Sequence, residues 1–365
     1  MDIKAPTIRD VAQRAGVSTS LVSLVINNRP KVSPHREARV RAAMSELGYV
    51  PPPPSRRRGP RLNSRRPTHR IAMVMTSIDT VLLQAPVYTD ILHAVADATA
   101  GIGKSLTIHH LMGSESTPET STALRASDGA IIFGRPLRGP LWRELQSRPC
   151  VRVMGLVDQV GFWDHVTYNN AAIGRLAGEY VLELGCKTAA FLGPTVMSES
   201  LDLMTSERGE QFRLVLENNG VRVLSSGNER FITRTANRDT VNAAKLSEML
   251  DQLLANAHKP EAIFVPGDQL ASALHSMLLA RGIRPGIDVH IVSVNNERIL
   301  LDHLTPRPAT IDIHATKIGQ AAVDLLSRRI ADPTLPRSIL VMQPTLVRGD
   351  ESEPAANEAS ASSPA

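Results

Sequence analysis

The chain has 365 residues, which at roughly 100–200 residues per domain allows two or three domains with buried cores and excludes collagen-like, coiled-coil and small stapled scaffolds. Its 41 Lys/Arg and 36 Asp/Glu give a net charge of +5. That charge is unevenly placed: residues 1–70 hold 15 bases against four acids, Asp2, Asp10, Glu37 and Glu46, for +11, and the remainder holds 26 against 32, for −6. A basic head on an acidic body points to a polyanion partner for the head.

Residues 7–48 predict three short helices. Thr7 caps the first, with Asp10 three positions on in a capping-box arrangement, and Ile8, Val11, Ala12 and Ala15 supply an apolar face. Gly16 breaks it in a tight left-handed turn. Ser18 caps a second helix running to about Asn27, with Val22, Val25 and Ile26 inward. Ser33 before Pro34 is a cap and a first-turn proline, and Val40, Met44 and Leu47 line a third helix that stops at Gly48. Two short helices across a glycine turn, with a third in support, make a helix-turn-helix unit. The segment 51–70 that follows carries Pro51, Pro52, Pro53, Pro54, Pro60 and Pro67, seven arginines and no acid.

From Ile71 short apolar runs alternate with helical stretches. The strand candidates are IAMVM (71–75), LTIHH (106–110), GAIIFG (129–134), VRVMGL (151–156), AAFLG (189–193), AIFVP (262–266), HIVSV (290–294) and SILVM (338–342). Helices are expected at 88–100, 170–184, 207–219, 237–255, 268–281 and 314–331. Such alternation implies parallel sheets covered by helices, with ligands at the carboxyl ends of the strands. The tail 351–365 is polar, acidic and of low complexity, and reads as disordered.

The strings TIRDVAQRAGVSTSLVSLVINN (7–28) and VSPHREARVRAAMSELGYVP (32–51) resemble the DNA-binding head of lactose-repressor (LacI/GalR) family transcription factors, with D-V-A-x-x-A-G-V-S, V-S-x-V-x-N and L-G-Y-x-P in that family's order. DGAIIFG (128–134), NNAAIGRLAGEYVLELG (169–185), ERGEQF (207–212), AIFVPGDQLASALHSMLLARGI (262–283), IVSVNNE (291–297) and LVMQPTLVRGD (340–350) follow the order of the family's effector-binding core. The resemblance covers about residues 5–349 and is weakest between 76 and 127. It implies a helix-turn-helix domain (1–50), a Pro/Arg-rich hinge linker (51–70) and an α/β, two-lobed, periplasmic-binding-protein-like (type I) effector-binding and dimerisation domain (71–349), before the tail (350–365). Lobe 1 is expected at about 71–164 and 295–325, lobe 2 at about 165–294 and 326–349, with crossings near 164, 294 and 325.

Site residues follow from the resemblance position by position. The second helix enters the major groove, where Thr19, Ser20, Ser23 and Leu24 face bases, while Thr7, Ser18, Asn27, Lys31 and Ser33 hold phosphates. Leu24 departs from the family's common arginine and offers only an apolar surface, so the operator is expected to differ at the position it reads. In the linker the family forms a hinge helix whose leucines wedge into the minor groove. Here Arg58 takes the wedge position and prolines occupy the helix start, so a polyproline segment with Ser55, Arg56, Arg57 and Arg58 along the minor groove is expected. A shifted wedge at Leu62 and a solvated linker touching only phosphate are the alternatives.

In the effector pocket Arg208 matches the arginine that holds effector hydroxyls or charged groups; the alternative is an ion pair with Glu207 or Glu210. Phe231 lies where sugar-responsive members place a stacking aromatic, or else in the core. Asp268 matches the aspartate of an N-D pair whose asparagine is here Gly267; it reads equally as a helix cap. Asn169 and Asn295 stand where aspartates are common, which keeps hydrogen bonding but removes negative charge. The effector is therefore expected to be a sugar or sugar derivative carrying an anionic group that pairs with Arg208. Trp163 and His165 either border the cleft or pack.

No phosphate loop, zinc-protease helix, nucleophile elbow or paired C-x-x-C occurs, and His109 and His110 point to opposite faces of a strand, so neither catalysis, a cofactor nor a metal is expected. Cys150 and Cys186 are too few for a disulfide framework and read as buried hydrophobes in a reducing cytoplasm. No apolar run approaches the roughly 20 residues of a membrane span, and MDIKAPTIRD has no signal stretch. The expectation is a cytoplasmic, nucleoid-associated homodimer that binds a double-stranded operator under control of a small effector, with repression favoured by family habit and no leucine heptads for a tetramer. The alternative is an architectural minor-groove protein without a ligand.

Overall fold

The computed structural model describes residues 6–26, 32–49, 67–76, 86–111, 118–134, 140–155, 163–193, 200–225, 232–235, 238–241 and 243–350, which fall into two units, Met1–Arg66 and Pro67–Ala365.

The first unit holds α1 (Ile8–Ala15), α2 (Thr19–Ile26) and α3 (Pro34–Glu46). The Thr7 hydroxyl accepts from the Asp10 N–H at 3.4 Å and the Asp10 carboxylate accepts from the Thr7 N–H at 2.7 Å, closing the capping box. Gly16 ends α1 at φ +61°, and its N–H donates to the Ala12 and Gln13 carbonyls. The Ser18 hydroxyl accepts from Leu21 N–H at 3.2 Å. Ser33 holds the cap position of α3 without a side-chain cap bond, so the fixed φ of Pro34 starts this helix and the expected serine cap is not made. Val11, Ala12, Ala15, Val22, Val25, Val40 and Ala43 form the core; at about 1.5–3 kcal/mol per buried valine, it outweighs the caps at about 1 kcal/mol each.

In the second unit, β1 (Arg70–Thr76), α4 (Pro86–Gly101), β2 (Ser105–Leu111), α5 (Pro118–Arg125), β3 (Gly129–Gly134), α6 (Pro140–Leu145), β4 (Cys150–Val153) and β5 (Asp164–Tyr168) come first. They are followed by α7 (Asn170–Glu183), β6 (Thr188–Phe191), α8 (Ser200–Asn218), β7 (Arg222–Ser225), β8 (Ile232–Thr235), β9 (Arg238–Val241), α9 (Ala243–Leu254), β10 (Ala262–Phe264) and α10 (Asp268–Ala280). The described chain closes with β11 (His290–Val294), α11 (Arg298–Leu301), β12 (Ala309–Asp312), α12 (Ala315–Ala331), β13 (Ile339–Met342) and β14 (Thr345–Val347). One sheet runs β13-β5-β4-β3-β1-β2 and a second runs β14-β12-β11-β10-β6-β7, with β8 and β9 as a separate hairpin. All pairings within the two large sheets are parallel except β12 with β14. Central strands such as β1 and β3 are buried on both faces, which is why their sequences are continuously apolar.

The sheets divide the chain differently from the expected lobes. β5 pairs with β4 and β13, so the chain first crosses after Tyr168 and not near 164. β12 pairs with β11 in the second sheet, α12 packs on β3, β4 and β5, and β13 returns to the first sheet. The later crossings therefore lie between Asp312 and Ala315 and between Met342 and Thr345, in place of 294 and 325. The expected helix 237–255 begins only at Ala243, because Arg238–Val241 pairs with β8; Thr240 and Val241 are β-branched and favour the strand.

A continuous core joins both sheets, from Met73, Ile131 and Val151 to Phe264, Val292 and Ile311. Trp163 packs edge-on against Trp142 at 4.6 Å and donates to the Leu145 carbonyl, and His165, 1% exposed, bonds the Met154 carbonyl at 2.7 Å. Both are packing residues. Cys150 and Cys186 are free and buried, and burial pushes their thiols up to about 12 and 11. Among the described residues no helix is long and apolar enough to cross a membrane.

Gly16 has φ +61°, which side chains rarely adopt, and a Cβ there would stand 2.8 Å from Arg39 Nη2, which donates to the Ala15 carbonyl and would have to shift. Gly16→Ala is expected to destabilise the head by about 1 kcal/mol, read as a lowered midpoint of head unfolding in urea with the body transition unmoved.

Candidate functional site

Two surfaces carry the chemistry. On α2, Thr19, Ser20 and Leu24 are exposed and Ser23 is half-buried, while Val22 and Val25 are buried. At about 100° per residue, positions 19, 20, 23 and 24 share one side of the helix and 22 and 25 the other. The core thus turns three hydroxyls and the Leu24 side chain outward together. Thr7, Ser18 and Ser33 are also exposed, with the first two hydroxyls accepting in caps. Asn27, Lys31, Ser55, Arg56, Arg57 and Arg58 lie outside the described residues, as does Phe231.

The second surface lies at the carboxyl ends of the strands, where ligands bind in open α/β sheets. Arg208, on α8, is 4% exposed. Its Nε donates to Asn170 Oδ1 at 2.8 Å, Nη1 to the Pro266 carbonyl at 2.8 Å and Nη2 to Tyr168 Oη at 3.1 Å. Its guanidinium also lies 5.4 Å from the Tyr168 ring centre. Tyr168 ends β5 of the first sheet and Pro266 follows β10 of the second, so one guanidinium spans both sheets. Burial raises the Tyr168 phenol, opposed by the Arg208 charge, so Tyr168 remains neutral. Neither Glu207 nor Glu210 pairs with Arg208: among the described residues all three partners are neutral and take up three of the five guanidinium N–H groups.

Arg208 reaches this place because α7 lets α8 come close. A Cβ on Gly174 would stand 2.1 Å from the Arg208 carbonyl oxygen, and one on Gly178 2.9 Å from the Val215 side chain.

Asp268 is fully buried, and it is not the cap of α10. Gly267 is the N-cap of α10, and the Asp268 carboxylate accepts from Ser293 Oγ at 2.5 Å, Thr310 Oγ1 at 2.8 Å and the Glu297 N–H at 2.6 Å. Burial raises it to about 6 against the pull of those bonds. Asn169 caps α7, its Oδ1 accepting from Ala172 N–H at 3.0 Å, and its amide donates to Gln343 across two crossings. Asn295 and Asn296 both have positive φ, +110° and +59°, in a turn after β11 where asparagine is favoured over bulkier residues. The Asn295 side chain lies beside Glu297 and acts to lower its carboxyl. Arg208 thus sits with Tyr168, Asn170 and Pro266, while Asp268 and Asn295 gather around Glu297 in a second polar centre.

Tyr168, Asn170 and Glu297 are the residues sequence reasoning missed. For Asn170 the signal was present in the doubled N-N before α7: one asparagine caps and the other turns inward. Among the described residues no group of His, Cys, Asp and Glu could hold a metal.

Residues 7–52 match the family model "Bacterial regulatory proteins, lacI family" and residues 179–350 the "Periplasmic binding protein-like domain". The chain is 28% identical over 354 residues to the ribose operon repressor of Escherichia coli K12, covering 93% of this chain and 98% of that protein. It is 27% identical over 348 residues to the HTH-type transcriptional repressor PurR of Pectobacterium atrosepticum, covering 93% and 95%. Its fold matches that of the transcriptional regulator CelR in its cellobiose complex, with a TM-score of 0.61 at 23% identity over 95% of this chain and 99% of that one. It also matches the lac repressor dimer bound to operator and the anti-inducer ONPF, at 0.58 and 22% over 95% and 98%.

Because the Gly174 contact is to α8 backbone, Gly174→Ala must displace the helix that carries Arg208. The expected cost is about 1–3 kcal/mol, measured as a lower urea midpoint of the body, and a crystal structure of the variant should show the Arg208–Tyr168 bond lengthened or lost.

Proposed function

The chain belongs to the LacI family of DNA-binding transcriptional repressors, and from that premise we propose that it is a cytoplasmic homodimer whose hold on a roughly palindromic operator is set by a small sugar-like effector carrying an anionic group. The observation that carries this reading is Arg208: a buried guanidinium with only neutral partners among the described residues and two N–H groups to offer, at the strand ends of both sheets. A buried charge without a counter-charge costs several kcal/mol, and a carboxylate or phosphate of the effector would supply one through paired N–H···O bonds. Asn169, next to the Asn170 that holds Arg208, brings no negative charge to that end of β5. The names of the relatives, a ribose operon repressor and a cellobiose-bound regulator, favour a sugar frame. Effector binding would shift the relative orientation of the two lobes and thereby operator affinity, and the exposed side of α2 would read the bases.

The test is thermal unfolding of the full chain with sugars, sugar acids, sugar phosphates and purines. A ligand at a hundred times its Kd should raise the body's Tm by roughly 5–10 °C. Arg208→Gln should weaken binding of the active acid or phosphate about 10–100-fold, the equivalent of one charge-assisted hydrogen bond. A response confined to neutral sugars would overturn the anionic reading.

Leu24 gives a second expectation. In selection from random duplexes, Leu24→Arg should move one position of each half-site to G·C, by about 1–3 kcal/mol of discrimination, and leave the remaining positions unchanged.

A further inference from the structure

The contacts of Arg208 make no use of Glu297, a residue only 3% exposed. Glu297 lies in the turn between β11 and α11, on the second sheet's side. Its Oε1 accepts from the backbone N–H of Val87 at 2.9 Å. Val87 is in the first turn of α4, which packs with α12 and β2 on the first sheet. That N–H is among those at a helix start that have no partner within the helix, and the helix dipole favours a negative charge there. Behind Glu297, Asp268 accepts from the Glu297 N–H at 2.6 Å and is itself fastened by Ser293 and Thr310. The residue that reaches across therefore has its own backbone pinned to β11, β12 and α10.

We propose that Glu297 is the latch between the lobes, with Asp268 as its positioning residue: in the closed arrangement the Glu297 carboxylate caps α4, and separation of the lobes breaks that bond and releases the carboxylate to water. This rests on the arrangement of the two sheets and not on any effector, so it stands or falls separately from the reading of Arg208.

The charged groups facing Glu297 are Asp268 from α10 and Asp90 from α4, with Asp312 acting on Asp268; the Asn295 amide and Val87 N–H oppose them. Burial first, then the two aspartates, raises Glu297 to about 7. In separated lobes it would return toward its ordinary value of 4.5. The closed form thus holds more protons between those values, so its advantage is full below about 4.5 and is lost as pH rises through about 7.

Hydrogen exchange of the full-length chain tests this, read in the peptide that begins α4 and expressed as protection relative to the intrinsic rate at pH 5.5 and 7.5. The wild-type chain should lose protection roughly tenfold between the two pH values. Glu297→Gln keeps an oxygen for Val87 and removes the titration of residue 297 itself, so its protection should persist and vary much less with pH than in the wild-type chain. Glu297→Ala should lose protection at least tenfold at both. If the alanine variant fails to fold, the glutamine comparison decides alone. Wild-type protection in Glu297→Ala, or an unchanged pH response in Glu297→Gln, would overturn the proposal.

Discussion

A guanidinium taken out of water costs several kcal/mol unless its N–H groups are met, and in this chain that requirement falls on Arg208, whose three acceptors come from the end of β5, the start of α7 and the segment after β10. Charge-assisted hydrogen bonds at about 1.5–3 kcal/mol each offset the burial only while those three elements keep their places. The two sheets, joined by one core, and α8, drawn in by the bare faces of Gly174 and Gly178, are thus tied to the position of a single charge.

A second polar centre lies on the same side of the second sheet and answers to a different constraint. Asp268, Glu297 and the Ser293 and Thr310 hydroxyls form a buried set, with Asn295 half-buried beside it, and among the described residues the charged groups acting on its two carboxylates are themselves carboxylates. Such a set is tolerated because hydroxyl and backbone donors satisfy the oxygens. Its cost appears as carboxyl groups raised toward neutrality. One centre holds a cation with neutral partners and the other holds anions with neutral partners, and each touches elements of both lobes.

The head obeys a simpler rule. Its core consists of valines and alanines, which leaves helices short and close, and the one side of α2 not needed for that core is given to hydroxyls and Leu24. The concentration of positive charge in residues 1–70, +11 of a chain whose total is +5, belongs to the same part of the molecule and suits a phosphate-bearing partner.

Much of this was legible in the residues. The capping box at Thr7 and Asp10, the glycine turn at 16 and the eight apolar runs named as strands are local facts, set by side-chain period, capping chemistry and backbone sterics, and each has its counterpart in the structure. The short strands Asp164–Tyr168 and Ala309–Asp312 escaped because three to five residues carry too little period to separate strand from loop, and with them went the lobe boundaries. The sequence by itself determined the longer helices, the eight strongly apolar strands, the helix-turn-helix unit and the presence of Arg208. Only the tertiary structure decided what Arg208 touches, that Asn169 caps while Asn170 turns inward, that Asp268 is spent on its neighbours, and that Glu297 meets Val87 across 210 residues. The reason is that capping and period are written within a turn of chain, whereas the partner of a buried charge is chosen by which strand ends the folded sheets bring together.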